Sequence, residues 1–235
     1  MFAIYKREMR SYFTTAVGYV FLAIIVALSA VAFSLTTILQ ATNDVTTYFT
    51  VLLFILMVAL PVLTMKLFSE ERKMRTEQLL LTAPVSIAKI VTAKFFAAFT
   101  VFFGANLLCS LAYITLFMYS EPEGGIILGN IIAITLVGAA FIAVGIFVSS
   151  LTENQLAAAI GTFGILLAML GVGLLSAVIP WYPVRYVLGW FSILTRYSNF
   201  TNGFFDFAAL FYYASVCFIF LFLTCRVLER RRYSA

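Results

Sequence analysis

Six long apolar runs, separated by short polar stretches, organise this chain. Each run continues for about 20 residues or more, the length that an α-helix needs to cross a bilayer core of about 30 Å. A membrane β-barrel would instead alternate apolar and polar residues in segments of about 10. The pattern predicts an all-α, polytopic membrane protein with six transmembrane helices, whose ends are defined to within about 2–4 residues. The predicted spans are residues 15–39, 45–68, 95–119, 126–151, 155–179 and 207–225.

The composition supports a single membrane domain over residues 1–235. Of the 235 residues, 63% are apolar and 11% are charged. A soluble domain has about 45–50% apolar and about 25% charged residues. The six runs occupy most of the chain, so no room is left for a separate soluble domain.

Lysine and arginine are concentrated on one side of the predicted bundle. Thirteen of the 15 lie near span ends that share a side, and the opposite side has only Arg185 and Arg196. Because cytoplasmic loops carry the excess of basic residues, both termini and the segment 69–94 are predicted to be cytoplasmic. The net charge of +5 follows from this topology and from an anionic inner leaflet. The lipid bilayer is therefore the expected surrounding, and nothing indicates a nucleic-acid partner.

The segment before the first span, residues 1–14, is amphipathic at helical spacing. Its apolar face carries Phe2, Tyr5, Met9, Tyr12 and Phe13, and its other face carries Lys6, Arg7 and Arg10. This pattern predicts an interfacial helix on the inner leaflet. The alternative is a positively charged flank with no helix.

The segment 69–94 is the only long stretch where dense charge lies between two apolar runs. A charged stem, which includes Glu70, Glu71 and Arg72, is followed by a block of three leucines. Thr76 can cap a short helix in which the leucines are apolar anchors, and Pro84 would end that helix. The segment is predicted to contact a partner in the water. The alternative is a membrane-surface helix without a partner, although acids beside the bases suit a protein surface better than anionic lipid.

Small residues recur along the fifth predicted span at spacings of four and three. They are Ala157, Gly161, Gly164, Ala168 and Gly171. Such a stripe lets two helix backbones approach closely in lipid. The partner helix can belong to the same chain or to a second subunit, and the motif does not distinguish them.

The stretch 180–206 is rich in aromatic residues and is interrupted by Pro180, Pro183 and Gly189. It predicts an outer re-entrant region of one or two short helices at the membrane interface, where aromatic residues are enriched. One interpretation is an outer gate or substrate exit, and the alternative is a lid that only seals the outer end. The candidate gate residues are Trp181, Tyr182, Trp190, Phe200, Gly203 and Asp206.

Several kinds of chemistry are missing from the sequence. The chain has no histidine, which excludes histidine metal sites, proton relays and histidine-dependent catalysis. No ionisable residue lies near the middle of a predicted span, where ion-coupled carriers place them. No G-x-x-x-x-G-K phosphate-binding loop occurs. The chain is therefore predicted not to be an enzyme and to hold no metal, so that any energised work requires a partner.

Three pieces of the chain resemble the membrane subunits of ABC transporters of the ABC-2 type. They are YKREMRSYFTTAVGYVF near the N-terminus, SEERKMRTEQLLLTAPVSIAKIVTAKF, and RYSNFTNGFFDF with the later RVLERRRY. The resemblance is closest to the gliding-motility and nitrous-oxide-accessory type of permease. Two positions depart from the pattern: Arg75 stands where many relatives have Gly, and the acid is Glu77 where many relatives carry it at the position of Gln78.

The resemblance implies a permease subunit in a bacterial plasma (inner) membrane. Two permease chains, identical or related, would work with two separate ATPase subunits, which would bind the ATP and Mg²⁺. An accessory extracytoplasmic or membrane protein is a further expected partner. The coupling helix that contacts the ATPase would lie around residues 76–85, and the charged residues before it would add a polar stem. The coupling residues would be Glu70, Glu71, Arg72, Thr76, Glu77, Gln78, Leu79, Leu80, Leu81, Pro84 and Val85.

The leading hypothesis for the function is ATP-driven substrate movement, with export as the common direction in the family. A second hypothesis is a membrane subunit that transmits ATPase motion to a partner without moving a substrate. A third is a channel or secondary carrier, which the uncharged span interiors disfavour.

Overall fold

The computed structural model describes residues 1–40, 42, 45–76, 85–119, 124–178, 189, 192–193, 196–197 and 206–234. Within these ranges the structure is helical and has no β-strand. The principal helices are α1 (Phe2–Thr14), α2 (Ala16–Phe33, continued by a π-helical turn, Ser34–Ile38), α3 (Thr46–Thr64), α4 (Lys66–Lys73), α5 (Ile87–Ser110), α6 (Ala112–Tyr119), α7 (Gly124–Leu151), α8 (Gln155–Val178) and α9 (Phe207–Ser234).

Six helical segments are long and apolar enough to cross a membrane, which confirms the predicted all-α polytopic fold. They are Ala16–Ile38, Thr46–Lys73, Ile87–Met118, Gly124–Leu151, Gln155–Leu174 and Phe207–Arg232. We call the end of the bundle that holds α1, α4 and the C-terminal turns of α9 the charged end.

The third span begins earlier than the sequence pattern indicates. The prediction placed its start at residue 95, but α5 begins at Ile87. The first turns of α5 bury Ile87, Ile90, Val91 and Lys94, which recur at helical spacing and face the bundle. The predicted cytoplasmic segment 69–94 is thus helical at both ends, because α4 also continues to Lys73.

Helix α7 is the central element of the bundle. It contacts α3, α4, α5, α8 and α9, and its buried side chains point in all directions. A helix that is apolar on every side is expected to be enclosed by other helices. Gly145 of α7 lies directly against Thr64 of α3, so that a Cβ atom at Gly145 would stand 2.8 Å from the Cβ of Thr64. This close approach fixes the distance between the second and fourth spans.

The N-terminal helix α1 is present, so the alternative of an unstructured flank is wrong. It packs against α2 and α5, with Glu8 and Tyr12 buried. Of the predicted apolar face, Tyr12 is buried, Tyr5 and Met9 are partly buried, and Phe2 and Phe13 are exposed, so that its contact with a membrane stays a prediction. The Tyr12 hydroxyl donates a hydrogen bond of 3.3 Å to the carbonyl of Leu63. Burial, and then the charge of Glu8, raise the pKa of Tyr12, which keeps this hydroxyl a donor.

The close approach at Gly145 generates a stability prediction. Gly145→Ala should lower the free energy of unfolding by about 1–3 kcal/mol, because Thr64 cannot move away without shifting α3. Gly104→Ala on α5 is the matched control, since a Cβ atom there meets nothing within 4 Å. The thermal unfolding midpoint of each purified variant in one detergent measures the effect. Equal midpoints for the two variants would contradict the packing at Gly145.

Candidate functional site: the charge cluster

The Lys94 side chain joins three helices at the charged end. The residue belongs to α5 and is only 1% exposed. Its Nζ lies 3.2 Å from Oε1 of Glu8 on α1 and 3.0 Å from Oε1 of Glu71 on α4. It also donates a hydrogen bond of 2.6 Å to the carbonyl of Leu67. These three partners match the three donors of an ammonium group, so the buried charge is fully satisfied.

Arg7 completes what we call the charge cluster, the four residues Arg7, Glu8, Glu71 and Lys94. Its Nη2 lies 2.8 Å from Oε1 of Glu8 and 2.7 Å from Oε1 of Glu71. Desolvation lowers the pKa of Arg7, but hydrogen bonds and charge from Glu8 and Glu71 outweigh it and raise the pKa overall. Two cations thus balance two carboxylates. One acceptor is left over, since Oε2 of Glu71 is buried and has no hydrogen-bond partner in the part of the chain that the structure describes.

Ser149 of α7 holds the junction between α3 and α4. Its hydroxyl donates to the carbonyl of Met65 at 2.9 Å and accepts from the amides of Phe68 and Ser69 at 3.1 and 3.2 Å. Amides in the first turn of a helix lack partners within that helix. The backbone groups at the junction of α3 and α4 therefore find hydrogen-bond partners on a side chain of the central helix. This contact fixes the direction of α4 relative to α3.

The predicted stem residues have different surroundings. Glu71 is turned into the charge cluster, whereas Glu70 is partly exposed and lies 3.9 Å from Lys66. Arg72 binds the turn between α7 and α8, with Nε 2.9 Å from Oε1 of Glu153 and Nη1 2.9 Å from the carbonyl of Leu151. All three stem residues thus have an ionic partner within the chain, and the pair of Glu70 with Lys66 is the longest of these contacts.

Helix α4 ends in a Schellman motif. The amide of Thr76 donates to the carbonyl of Glu71 at 2.9 Å, and the amide of Arg75 donates to the carbonyl of Arg72 at 3.0 Å. Arg75 has a φ of 57°, the left-handed conformation that favours glycine at this position of the motif. This explains in physical terms why a glycine suits the position that Arg75 occupies here. The Thr76 hydroxyl donates to the carbonyl of Glu71 at 3.2 Å, so it faces back toward α4.

Most of the remaining predicted contact residues lie outside the described residues. Among the coupling residues these are Glu77, Gln78, Leu79, Leu80, Leu81 and Pro84, and among the gate residues Trp181, Tyr182, Trp190, Phe200 and Gly203. Val85 is half-buried against the core. Asp206 accepts a hydrogen bond of 2.8 Å from the amide of Ala208, which caps the start of α9, and it lies 4.0 Å from Arg196.

Most of the small-residue stripe of α8 is left open among the described residues. Ala157, Gly164 and Ala168 are exposed, and Gly161 and Gly171 are partly exposed. The opposite face, which buries Ala158, Thr162, Leu166 and Leu170, is the one that faces the bundle, where α8 packs on α3 and α7. Gly161 lies at the edge of the packed face, since a Cβ atom there would stand 3.1 Å from Cγ1 of Val148 on α7, whereas a Cβ atom at Gly164 or Gly171 would meet nothing within 4 Å.

Three residues of this site were not identified from the sequence. Lys94 was assigned to a cytoplasmic flank, and Glu8 and Ser149 were given no role. Helical spacing could have indicated that Glu8 is buried. Ile4, Glu8 and Tyr12 are four residues apart and share one face of α1, so the only acid of that helix lies on the face that packs against the bundle. Lys94 follows Ile87, Ile90 and Val91 on the buried face of α5 in the same way.

A family model described as ABC-2 family transporter protein matches residues 38–228 of the chain. The matched part includes Glu71, Lys94 and Ser149, and the helix α1 precedes it. Among curated proteins, none matches the chain.

The charge cluster generates a second stability prediction. Lys94→Met should lower the free energy of unfolding by about 3–5 kcal/mol, because the charge cluster then holds two largely buried carboxylates and only one cation, Arg7. Lys66→Met is the matched control and should cost at most about 1 kcal/mol, since its pair with Glu70 is solvent-accessible. Adding Glu8→Gln and Glu71→Gln to Lys94→Met should restore part of the loss. Thermal unfolding in detergent measures all three, and a Lys94→Met midpoint equal to that of Lys66→Met would contradict the role of Lys94.

Proposed function

Because the chain belongs to the ABC-2 family of transporter proteins, and is therefore a permease subunit of an ABC transporter, we propose that it couples ATP hydrolysis by separate ATPase subunits to substrate export. The charged end would face the cytoplasm, as the distribution of basic residues predicts. ATP and Mg²⁺ would be bound by the ATPase, two copies of which would serve two permease chains in a bacterial plasma membrane.

The observation that supports coupling is the anchoring of α4 on two sides. The charge cluster joins α4 to α1 and α5, through Glu71 and Lys94. Ser149 joins the start of α4 to α7. The predicted coupling residues begin on α4 and end at Val85, two residues before α5. A displacement of this segment would therefore move the ends of the second and third spans together.

The sequence supports this division of labour, because it contains no G-x-x-x-x-G-K loop that could bind the phosphates of ATP. The proposal therefore assigns this chain the conducting and coupling roles, and assigns hydrolysis to its partner.

The exposed stripe on α8 supports a second permease chain as the packing partner. Small residues allow helix backbones to approach closely in lipid, where van der Waals packing and interhelical hydrogen bonds stabilise the contact. Gly164 and Ala168 lie on this open face. We therefore assign the stripe to contact between two permease chains.

The coupling proposal predicts the effect of charge in the leucine block. Leu80→Asp with Leu81→Asp should leave the chain inserted in the membrane but abolish binding of the ATPase, because both apolar anchors become charged. Leu156→Asp is the matched control, since Leu156 is an exposed leucine at the charged end outside the coupling segment. Co-purification of the tagged chain with its ATPase measures binding. Wild-type recovery of the ATPase with the double variant would refute the coupling assignment. In a separate assay on the chain in vesicles, ion flux without nucleotide would favour a channel.

The dimer proposal predicts the effect of bulk on the stripe. Gly164→Leu with Ala168→Leu should reduce self-association at least about tenfold, because the two backbones can no longer approach. Ala27→Leu with Ala30→Leu adds the same bulk to an exposed face of α2 and should leave self-association unchanged. Dilution-dependent energy transfer between labelled chains in vesicles measures the equilibrium. Equal association of the two double variants would exclude the stripe as the contact.

A further inference from the structure

A groove between α2 and α3 opens on the outer surface of the bundle. It has a volume of about 660 Å³ and begins at Ala16 and Met65. Its walls are apolar and include Val20, Ile24 and Leu28 of α2 and Phe54, Val58 and Val62 of α3. These six side chains are all exposed on the chain, so the groove is accessible from the membrane.

The groove is as long as one leaflet of a bilayer is thick. From Ala16 to Leu28 the helix α2 rises by about 18 Å, at about 1.5 Å per residue. Half of a bilayer core of about 30 Å is about 15 Å. The groove therefore extends from the charged end to about the middle of the membrane, which is the depth that a lipid tail of that leaflet reaches.

A second, polar cavity of about 260 Å³ adjoins the groove at the charged end. The two cavities share Val17, and the lining of the groove ends at Met65, directly before Lys66 of the polar cavity. The polar lining carries both signs of charge: Arg7 and Lys66 are its accessible cations, Lys94 is a buried cation, and Glu8, Glu70 and Glu71 are its acids. A cavity of mixed charge at the end of an apolar groove has the polarity of a zwitterionic phospholipid.

The unpaired carboxylate oxygen of Glu71 favours a headgroup that can donate an N–H group. Its Oε2 atom is buried and has no hydrogen-bond partner among the described residues. A buried acceptor without a donor is costly, so a ligand that donates an N–H group there gains more than one that does not. A primary ammonium has such donors, whereas a choline ammonium has none. An anionic headgroup without an ammonium would bring its phosphate toward the three carboxylates of the cavity and offer them no cation.

We propose that the paired cavities bind a phospholipid whose headgroup carries a primary ammonium, as phosphatidylethanolamine does. One acyl tail occupies the groove between α2 and α3. The phosphate lies toward Arg7 and Lys66, and the ammonium donates to Oε2 of Glu71. The site is formed by one chain alone, so binding does not depend on whether an ATPase engages the coupling segment.

The lipid would contact the residues that hold α4 in place. Glu71 and Arg7 belong to the charge cluster, and Lys66 is the first residue of α4. Occupancy of the cavity would therefore stabilise the attachment of α4 to α1. An amine-bearing lipid should raise the thermal unfolding midpoint of the chain, whereas a choline lipid with the same tails should raise it less.

Titration of the purified chain in detergent with single lipids, followed by native mass spectrometry, tests the proposal. Phosphatidylethanolamine, phosphatidylcholine and phosphatidylglycerol with identical tails are compared at one-to-one occupancy. The amine-bearing lipid should bind at least about tenfold more tightly than either of the others, the equivalent of about 1.4 kcal/mol or more. Equal affinities for the three lipids would overturn the headgroup assignment.

Two variants locate the site. Val58→Trp fills the groove and should weaken binding of phosphatidylethanolamine at least about tenfold. Val31→Trp places the same side chain on an exposed part of α2 outside the groove and should bind as the wild type does. Lys66→Met should reduce affinity several-fold by removing one phosphate contact. If Val58→Trp bound phosphatidylethanolamine as tightly as the wild type, the proposal would be overturned. If Val58→Trp also lost self-association, the occupant of the groove would be a second chain and not a lipid.

Discussion

The buried ammonium of Lys94 is the constraint on which the charged end of the structure depends. Removing an ammonium from water costs several kcal/mol unless its partners are well placed. Here the partners come from two other helices: Glu8 of α1, and both Glu71 and the carbonyl of Leu67 on α4. The N-terminal helix, the stem of the coupling segment and the start of the third span are therefore held in one arrangement. If these helices were arranged differently, at least one charged group would be left buried without an ionic partner. Other arrangements of α1, α4 and α5 are therefore unfavourable.

The central helix α7 provides the second half of the same attachment. Gly145 allows the closest approach to α3, and Ser149, four residues later, satisfies the backbone at the junction of α3 and α4. Both residues lie on the face of α7 that meets the second span. Close packing and hydrogen bonding thus act at adjacent turns and attach the start of α4 to the end of α3. The proposed coupling rests on this attachment, because a loosely held stem would absorb the displacement that it has to transmit.

The fold could be predicted from the sequence to the extent that lipid constrains it. Continuous apolar runs identified six spans, since backbone groups in a membrane must be satisfied within helices or closed barrels. The start of α5 was missed because Lys89 and Lys94 made its first turns appear to be a loop, while the burial of Lys94 depends on acids far away in the chain. The role of Arg75 also needed the structure, because a positive φ at a non-glycine residue is not visible in the sequence. The sequence predicts the stripe on α8, but only tertiary packing shows that most of it is left open among the described residues. The contacts of the leucine block and the outer gate remain predictions.

Purification of the tagged chain from its native membranes in a mild detergent, with ATP present and hydrolysis blocked, tests the central claim most directly. Every co-purifying chain is identified and its stoichiometry is measured. We predict recovery of a soluble ATPase that contains a G-x-x-x-x-G-K loop, in two copies for two permease chains. Recovery of the permease without any ATPase under these conditions would contradict the proposed coupling, and the anchored stem would then serve another purpose.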